Sequence, residues 1–295
     1  MTVLAAAPET VLAAAPVLGP IQENRHRTPT ATTRRYLMCA PDHFEVSYAI
    51  NPWMDPTAPV DPALARRQWE TLRQTYLDLG HRVDLIPPVA GLPDMVFAAN
   101  GGLVLEGHAL GARFTFPQRT AEAPAYLRWL EAAGLTGAVA PVHVNEGEGD
   151  FLVVGDLVLA GTGFRTDPGA HAEVQELFGV PVISLQLVDP RYYHLDTALA
   201  VLDDANVAYY PGAFTPGSLR VLQRLFPEAV LAGEQDAAVL GLNAVSDGLH
   251  VVLPVEAVEL AASLRDRGYL PVGVDLSELR KAGGSVKCCT MEIRE

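Results

Sequence analysis

The chain has 295 residues, 49% of them hydrophobic and 19% charged, which is enough material for the core of one large domain or two ordinary ones. Its formal net charge of −14 at pH 7 excludes the basic footprint of a nucleic-acid-binding protein. The same charge argues against an anionic membrane surface as a partner and mildly favours a small cationic one.

Residues 1–34 are predicted to form a flexible N-terminal tail, ahead of a single domain at 35–295. The tail contains two copies of TVLAAAP, and Ala, Pro and Thr dominate it. Its start lacks the cationic residues of a secretory signal, and no apolar run approaches the roughly 20 residues of a membrane span. Three cysteines without an export signal predict a cytoplasmic protein with free thiols.

Four apolar segments are predicted to form β-hairpins, because Gly or acidic residues interrupt each of them where a turn is needed. The turns fall near positions 107, 155, 204 and 247, so they recur roughly every 43–49 residues. Helical stretches separate the hairpins, and an apolar run that favours a strand usually follows each helix. These predicted helices cover residues 120–134, 167–179, 215–227 and 255–268.

A hairpin, a helix and a strand that recur about every fifty residues are typical of a repeat architecture. Residues 35–295 hold about five such units. The first unit would combine residues 36–41, 62–80 and 83–89 with a C-terminal strand at 286–293, so that the two ends of the chain meet and close a ring. An ordinary α/β sandwich with chance spacing is the alternative.

Several short stretches carry polar residues that a plain strand would not need. A cysteine, a histidine and a carboxylate brought together from different units would suffice for nucleophilic catalysis. Taken singly, each residue also suits an ordinary role, as a packed histidine, a surface arginine or part of a solvated acidic loop. The candidates are Asp94, Asn100, Arg119, Glu146, Glu148, Asp150, Arg165, His194 and Cys288.

Six motifs in a fixed order make the pattern more specific than any one of these residues. They are INPWM (50–54), PDMVFAAN (93–100), EGEGD (146–150), GFRTD (163–167), YYHLDT (192–197) and GGSVKCCT (283–290). From about Tyr36 to the C-terminus the chain resembles the guanidine-modifying, or pentein, superfamily, and most of all its dimethylarginine dimethylaminohydrolases and arginine dihydrolases. The resemblance implies an α/β fold, a five-bladed pseudo-fivefold propeller of repeated ββαβ units, in agreement with the repeat.

The resemblance also implies catalytic roles for three residues. Cys288 would attack the guanidinium carbon and form a covalent thiouronium. His194 would protonate the departing amine and then deprotonate the water that resolves the adduct. Glu146 would orient His194 and pair with the guanidinium. Because EGEGD is one residue longer than the common form EGGD, Glu148 competes with Glu146 for that role.

Six further residues are implied to bind the substrate, among them Asn100, which can accept a hydrogen bond from the guanidinium or donate one to a carbonyl. Arg119 and Arg165 would clamp its α-carboxylate, a planar task that suits arginine better than lysine. Asp94 would bind a nitrogen atom of the substrate, and Asn51 would line the entrance of the active site. Phe44 lies where the family has a mobile lid.

Asn100 leaves the product open. Many dimethylargininases and deiminases carry an acidic pair where this chain has Ala99-Asn100, whereas Asn resembles the arginine dihydrolases. The predicted function is hydrolysis of the guanidino C–N bond of arginine or Nω-methylated arginine, giving citrulline. The alternatives are an arginine dihydrolase giving ornithine, ammonia and CO2, an amidinotransferase, and a non-catalytic protein that binds arginine-like cations.

The adjacent cysteines at 288 and 289 cannot form an ordinary disulfide, because neighbouring Cα atoms are only about 3.8 Å apart. A zinc clip is not expected, since no second pair of cysteines exists. On a strand, one thiol would face the ring's centre and the other the core, and the resemblance assigns the centre to Cys288. No metal or cofactor is predicted. The expected partner is a small guanidino cation, and an exposed blade edge could pair two copies into a homodimer.

Overall fold

The computed structural model of the protein describes residues 28–135 and 137–295. Most of the predicted tail, residues 1–27, lies outside these residues, so its flexibility and the domain boundary at residue 34 stay predictions. Residues 28–34 have no regular secondary structure, and the backbone N–H groups of Thr30 and Thr32 donate to the carbonyls of Gly248 and Asp247. Within the described ranges, no helix is both long and apolar enough to cross a bilayer.

The described residues form fifteen short strands. In chain order they are β1 (Arg35–Cys39), β2 (Arg82–Ile86), β3 (Gly102–Leu105), β4 (His108–Gly111), β5 (Gly137–Val139), β6 (Phe151–Val154), β7 (Leu157–Thr162), β8 (Val182–Gln186), β9 (Leu199–Val201), β10 (Val207–Tyr209), β11 (Val230–Leu231), β12 (Val245–Ser246), β13 (His250–Pro254), β14 (Leu270–Val274) and β15 (Met291–Glu292).

The strands assemble into five three-stranded sheets, ordered β15-β1-β2, β3-β4-β5, β6-β7-β8, β9-β10-β11 and β12-β13-β14. In every sheet the first strand pairs antiparallel with the second, and the third runs parallel to the second. First strands of neighbouring sheets contact one another at three junctions: β15 with β3, β6 with β9, and β9 with β12. The repeated unit confirms the predicted five-bladed α/β propeller.

The ring closes where the two ends of the domain pair. Strand β15 runs antiparallel to β1, with Leu37 opposite Met291, and β2 completes the blade. This is the predicted closure. It makes the first blade a product of both ends of the sequence, while the other four blades are each built from one continuous segment.

Helices cover the outside of the blades and follow the capping signals of the sequence. They are α1 (Pro62–Asp78), α2 (Ala123–Ala132), α3 (Pro168–Phe178), α4 (Pro216–Leu225), α5 (Glu234–Ala237), α6 (Val258–Asp266) and α7 (Ser277–Arg280). Helix α3 begins after Asp167, whose side chain accepts from the N–H of Gly169, and ends at Gly179 in the left-handed conformation. Helix α4 begins after Thr215, which accepts from the N–H of Ser218.

The predicted strand at residues 286–293 is wrong for its first half. Only β15 is a strand, and the two cysteines lie in a helical turn before it, where the N–H of Cys289 donates to Ser285 O at 3.1 Å and that of Thr290 to Lys287 O at 2.9 Å. Strand alternation therefore does not separate Cys288 from Cys289. All three cysteines are free and buried, as expected for reduced thiols.

Candidate active site

A polar side chain stands two or three residues before the first strand of every blade. These residues recur about every 45–48 positions, so the propeller brings them to a shared centre. They are Asn100 before β3, Glu148 before β6, Asp196 before β9, Asn243 before β12 and Cys288 before β15.

Glu146 and His194 form a buried pair beside this centre. The Nε2 atom of His194 lies 2.7 Å from Oε2 of Glu146, and Arg165 Nη1 donates to the same oxygen at 2.9 Å. The backbone N–H of Thr115 donates to the other oxygen at 3.2 Å. Burial alone would raise the pKa of Glu146, but Arg165 and His194 outweigh it and hold that pKa well below its ordinary value. Glu146 is therefore a carboxylate at neutral pH.

The carboxylate fixes the imidazole of His194. A neutral imidazole that donates from Nε2 to Glu146 keeps a lone pair on Nδ1. Nδ1 is buried and has no hydrogen-bond partner among the described residues. Gly149 lies against this edge of the ring, where a Cβ atom would come within 3.1 Å of Nδ1. The Nδ1 atom is thus the position at which His194 can give or take a proton.

Cys288 lies in the turn before β15 and contacts two polar side chains. Its Sγ atom is 3.3 Å from Asp196 Oδ2 and 3.1 Å from Asn243 Nδ2. Burial and the negative charge of Asp196 raise the pKa of the Cys288 thiol well above its ordinary value. Without a cation in the centre, Cys288 is a thiol that donates to Asp196.

Asp196 is the carboxylate nearest to that sulfur. Burial raises its pKa to about 7, although the nearby Lys287 opposes the shift. Its Oδ1 atom is buried and has no hydrogen-bond partner in the part of the chain that the structure describes. A cation that enters the centre would satisfy this oxygen and favour the ionised carboxylate.

Arg119 is held by a buried carboxylate that the sequence reasoning missed. Its Nε and Nη2 atoms donate to the two oxygens of Glu122 at 2.9 and 2.8 Å, a bidentate pair. Nη1 donates to Asn100 Oδ1 at 2.7 Å, and Nη2 also reaches the carbonyl of Asp94 at 3.3 Å. Within the described residues, only one of the five N–H bonds of Arg119 is left for a ligand.

Asn100 is oriented by this arginine. Since Arg119 can only donate, the atom that it contacts must be the amide oxygen, and the amide nitrogen then donates to Glu146 O at 3.4 Å. The side chain is buried, and Gly149 packs against its nitrogen. Asn100 therefore presents donors, rather than an acceptor, beside His194.

The loop between β1 and α1 lies against the same site. Tyr48 donates to Asp94 Oδ2 at 2.9 Å, and Arg165 Nη2 donates to the carbonyl of Ile50 at 2.9 Å. Burial raises the pKa of Asp94, whose Oδ1 atom has no partner within the described ranges. Arg165 also lies over the ring of Tyr193, at 4.6 Å from its centroid.

Two further predicted residues belong to this loop. Asn51 donates to Ala282 O at 3.0 Å and accepts from the N–H of Trp53 at 2.9 Å, so it ties the loop to the segment before Cys288. Phe44 is buried and packs edge-on against Phe97, with ring centroids 6.0 Å apart.

Glu148 points away from His194. It forms ion pairs with Lys287 and Arg294 and accepts from the N–H of Glu292 at 2.9 Å. Lys287 and Arg294 line a cavity of about 480 Å³ that is bordered by hairpin turns such as Gly155. Of the two candidate carboxylates, only Glu146 is in contact with the histidine.

The structure brings together most of the predicted residues, but three members of the centre were missed. Asp196 lies inside the YYHLDT motif, and Asn243 occupies in its blade the position that Asn100 occupies in the second one. The repeat spacing could have identified both. Glu122 stands three residues after Arg119 in a short helical turn, Pro117–Glu122, and nothing distinguishes it locally from a surface glutamate.

The centre suits a planar cation. It places a thiol beside an unsatisfied carboxylate, with a histidine held by a second carboxylate. In such a site the thiol can attack a guanidinium carbon while the histidine moves protons. Fold and site together define a guanidine-modifying enzyme of the pentein class, a cysteine-dependent amidine hydrolase.

Comparison with known proteins shows which members of this class the chain resembles. The N(G),N(G)-dimethylarginine dimethylaminohydrolase of Mycobacterium tuberculosis is 61% identical over 267 residues, covering 90% of this chain and 87% of that protein. The bifunctional arginine dihydrolase/ornithine cyclodeaminase ArgZ of Synechocystis is 37% identical over 267 residues, which are 88% of this chain but only 38% of that longer protein. No protein-family model matches the chain.

A solved structure agrees with these sequence relatives. The N-terminal domain of ArgZ, an arginine dihydrolase crystallised with its substrate, superposes with a TM-score of 0.85 at 36% identity, over 89% of this chain and 98% of that domain. The chain belongs to the dimethylarginine dimethylaminohydrolase family of the pentein superfamily.

Proposed function

We propose that the protein hydrolyses the guanidino C–N bond of Nω-methylated arginine or arginine in the cytoplasm and releases citrulline. The observation that carries the proposal is the contact of 3.3 Å between the Cys288 thiol and the buried Asp196 carboxylate. That carboxylate has an oxygen free for a cation, and the sulfur beside it is a nucleophile once it is ionised.

Substrate binding activates the thiol in this scheme. A guanidinium that pairs with Asp196 and Asp94 brings positive charge next to Cys288, which offsets the burial and the carboxylate that raise the thiol pKa. The thiolate forms a bond from Sγ to the guanidinium carbon, and the C–N bond to the leaving amine breaks. The proton that leaves the Cys288 thiol passes to the free Nδ1 atom of His194, and the resulting imidazolium delivers it to that amine.

Water completes the cycle. His194 removes a proton from a water molecule that attacks the thiouronium carbon, and the C–S bond then breaks. The products are the urea group of citrulline and the regenerated Cys288. Glu146 keeps the imidazole in one orientation throughout and stabilises its cationic form.

The two arginines have different roles in binding the α-carboxylate. Arg165 uses one N–H of each terminal nitrogen, on Glu146 and Ile50, and keeps three N–H bonds free among the described contacts. Arg119 keeps one. We assign the bidentate contact with the substrate carboxylate to Arg165 and a single supporting hydrogen bond to Arg119. Asn51 and Phe44 close the entrance beside them.

A second candidate product rests on Asn100. Because its amide presents N–H groups beside His194, it can hold the carbonyl of a neutral ureido group, and retaining citrulline would permit a second hydrolysis to ornithine, ammonia and CO2. The relationship to the arginine dihydrolase ArgZ makes this the alternative to test. An amidinotransferase differs only in using an amine, rather than water, to discharge the adduct.

Incubation with arginine and with asymmetric dimethylarginine, followed by mass spectrometry, separates these reactions. Citrulline and dimethylamine are the expected products. Ornithine would replace the first proposal with the dihydrolase, and an adduct on Cys288 that only an added amine discharges would indicate the transferase. Full turnover by Cys288→Ser, or no product and no adduct from either compound, would contradict the enzymatic proposal.

We also propose that an outer blade edge pairs two copies into a homodimer. The outer strands expose large apolar side chains, including Leu85 in β2 and Leu231 in β11, and an unpaired strand edge can add a strand. Light scattering coupled to size-exclusion chromatography tests this: a mass of twice 31.6 kDa is expected, and a monomer at high concentration would contradict it.

A further inference from the structure

Asn243 contacts Cys288 at two different atoms. Its side chain is completely buried in the segment before β12. The amide Oδ1 atom accepts from the backbone N–H groups of Cys288 at 3.0 Å and of Ser285 at 3.1 Å. The amide Nδ2 atom lies 3.1 Å from Cys288 Sγ and 3.1 Å from the carbonyl of Asp196.

The orientation of this amide follows from chemistry alone. Backbone N–H groups can only donate, so the Asn243 atom that meets those of Ser285 and Cys288 must be the oxygen. The carbonyl of Asp196 can only accept, so the atom that it meets must be the nitrogen. If the amide were flipped, its NH2 group would face two backbone N–H donors and its oxygen would face the carbonyl oxygen of Asp196. One N–H of Asn243 is therefore aimed at the sulfur.

We propose that Asn243 is a catalytic residue whose N–H group stabilises the Cys288 thiolate. The inference rests on the proposed function, in which this sulfur carries negative charge twice: before it attacks the guanidinium carbon and again when it leaves the thiouronium. A hydrogen bond to the charged form favours that form, and a fixed amide in a buried site needs no reorganisation to provide it.

The need for such a donor is clear from the surroundings of the sulfur. Burial and Asp196 both raise the thiol pKa, so they oppose the reactive form. Among the described residues, Asn243 is the side chain that donates a hydrogen bond to Sγ. Asp196 does the reverse, since it accepts from the thiol.

The competing explanation is that Asn243 only builds the turn around Cys288, through its oxygen. Asn243→Asp keeps an oxygen for the two backbone N–H groups and removes the donor, but it adds a charge. Asn243→Ser removes the amide without adding a charge. Gln68→Glu is a matched control. Gln68 is a buried amide on α1 that accepts from the N–H of Glu278 at 3.0 Å and donates to Ser277, and neither partner belongs to the site.

The experiment is the rate of Cys288 alkylation by iodoacetamide as a function of pH, read by peptide mass spectrometry, with thermal unfolding of each variant. We expect both Asn243 variants to move the midpoint upward by about one pH unit, which corresponds to roughly tenfold slower alkylation at a fixed pH below it. Gln68→Glu should leave the midpoint unchanged.

An unchanged midpoint in folded Asn243→Ser would overturn the proposal, even if Asn243→Asp shifts it, because that shift would come from the added charge alone. If Asn243→Asp does not fold, Asn243→Ser decides. Alkylation requires no substrate, so this result is independent of whether the protein converts methylated arginine.

Discussion

Oε2 of Glu146 is shared by two nitrogen atoms, Nε2 of His194 at 2.7 Å and Nη1 of Arg165 at 2.9 Å. A single carboxylate oxygen thus orients both the histidine to which we assign proton transfer and the arginine to which we assign binding of the substrate carboxylate. Any change at Glu146 should therefore affect chemistry and binding together.

Glu146→Gln is expected to lower kcat by about 10²–10⁴-fold, because His194 loses the charge that stabilises its protonated form. KM should rise as well, since Arg165 is no longer fixed. Steady-state kinetics with asymmetric dimethylarginine measures both effects.

Glu148→Gln is the matched comparison. Lys287 would lose its anionic partner in a buried position, while Arg294 would keep its ion pair with Glu292, so we expect a loss of about 3–5 kcal/mol in the free energy of unfolding. The kcat of the folded fraction should fall far less than in Glu146→Gln. The reverse pattern would assign the catalytic carboxylate to Glu148.

Cys289→Ala should keep turnover, whereas Cys288→Ser should abolish it. Both cysteines are buried in the same apolar cluster, but of the two only the Cys288 sulfur has polar side chains as hydrogen-bond partners, Asp196 and Asn243. Arginine should protect Cys288 from alkylation without changing the labelling of Cys289. Equal loss of activity in both variants, with intact folding, would refute this distinction.

Arg119→Ala is expected to act on stability and Arg165→Lys on substrate binding. Removing Arg119 leaves Glu122 buried without its bidentate partner, which should cost about 3–5 kcal/mol in chemical denaturation. Arg165→Lys keeps the positive charge near Glu146 but loses the planar guanidinium that can bind a carboxylate through two hydrogen bonds. Its main effect should therefore be a higher KM, with little change in the free energy of unfolding. If a folded Arg119→Ala variant raised KM more than Arg165→Lys does, Arg119 rather than Arg165 would be assigned the main contact with the substrate carboxylate.

The pH dependence of kcat/KM should show a limb near pH 7. Burial raises the pKa of Asp196 to about 7 against the opposing charge of Lys287, so the carboxylate that pairs with the guanidinium is lost as the pH falls below that value. Activity should therefore increase between pH 6 and 8, while the substrate guanidinium stays charged throughout. Asp196→Asn should remove this limb and lower kcat/KM, and an unchanged profile in that variant would assign the limb to another group.

The sequence predicted the repeat because each hairpin turn carries its own local chemistry, such as Gly155-Asp156 between β6 and β7. It also predicted the ring closure of β1 with β15. The motifs predict Cys288, His194 and Glu146 as catalytic residues, but Glu148 is an equally good candidate locally. Only the three-dimensional direction of the two side chains separates them, since Glu146 contacts His194 and Glu148 contacts Lys287.

The errors have a common physical cause. The segment before β15 has the composition of a strand, but its N–H groups at Ser285 and Cys288 are satisfied by the amide of Asn243, from the preceding blade. Glu122 is part of the site only because the Arg119 side chain points inward, where it donates to both Glu122 and Asn100. The first case depends on a contact between residues distant in sequence, and the second depends on the direction of a side chain. The local periodicity of the sequence predicts neither.

The pairing of Leu37 with Met291 joins residues 254 positions apart in the chain. Contacts at such separations form late and slowly in folding, because a long loop must be closed before they stabilise the structure. Glu146 and His194 precede strands of blades that are each built from one continuous segment, whereas Cys288 lies three residues before β15, in the blade that needs both ends of the domain. We therefore expect closure of the ring to complete the candidate site, because Cys288 comes from the segment whose partner strand is the most distant in sequence.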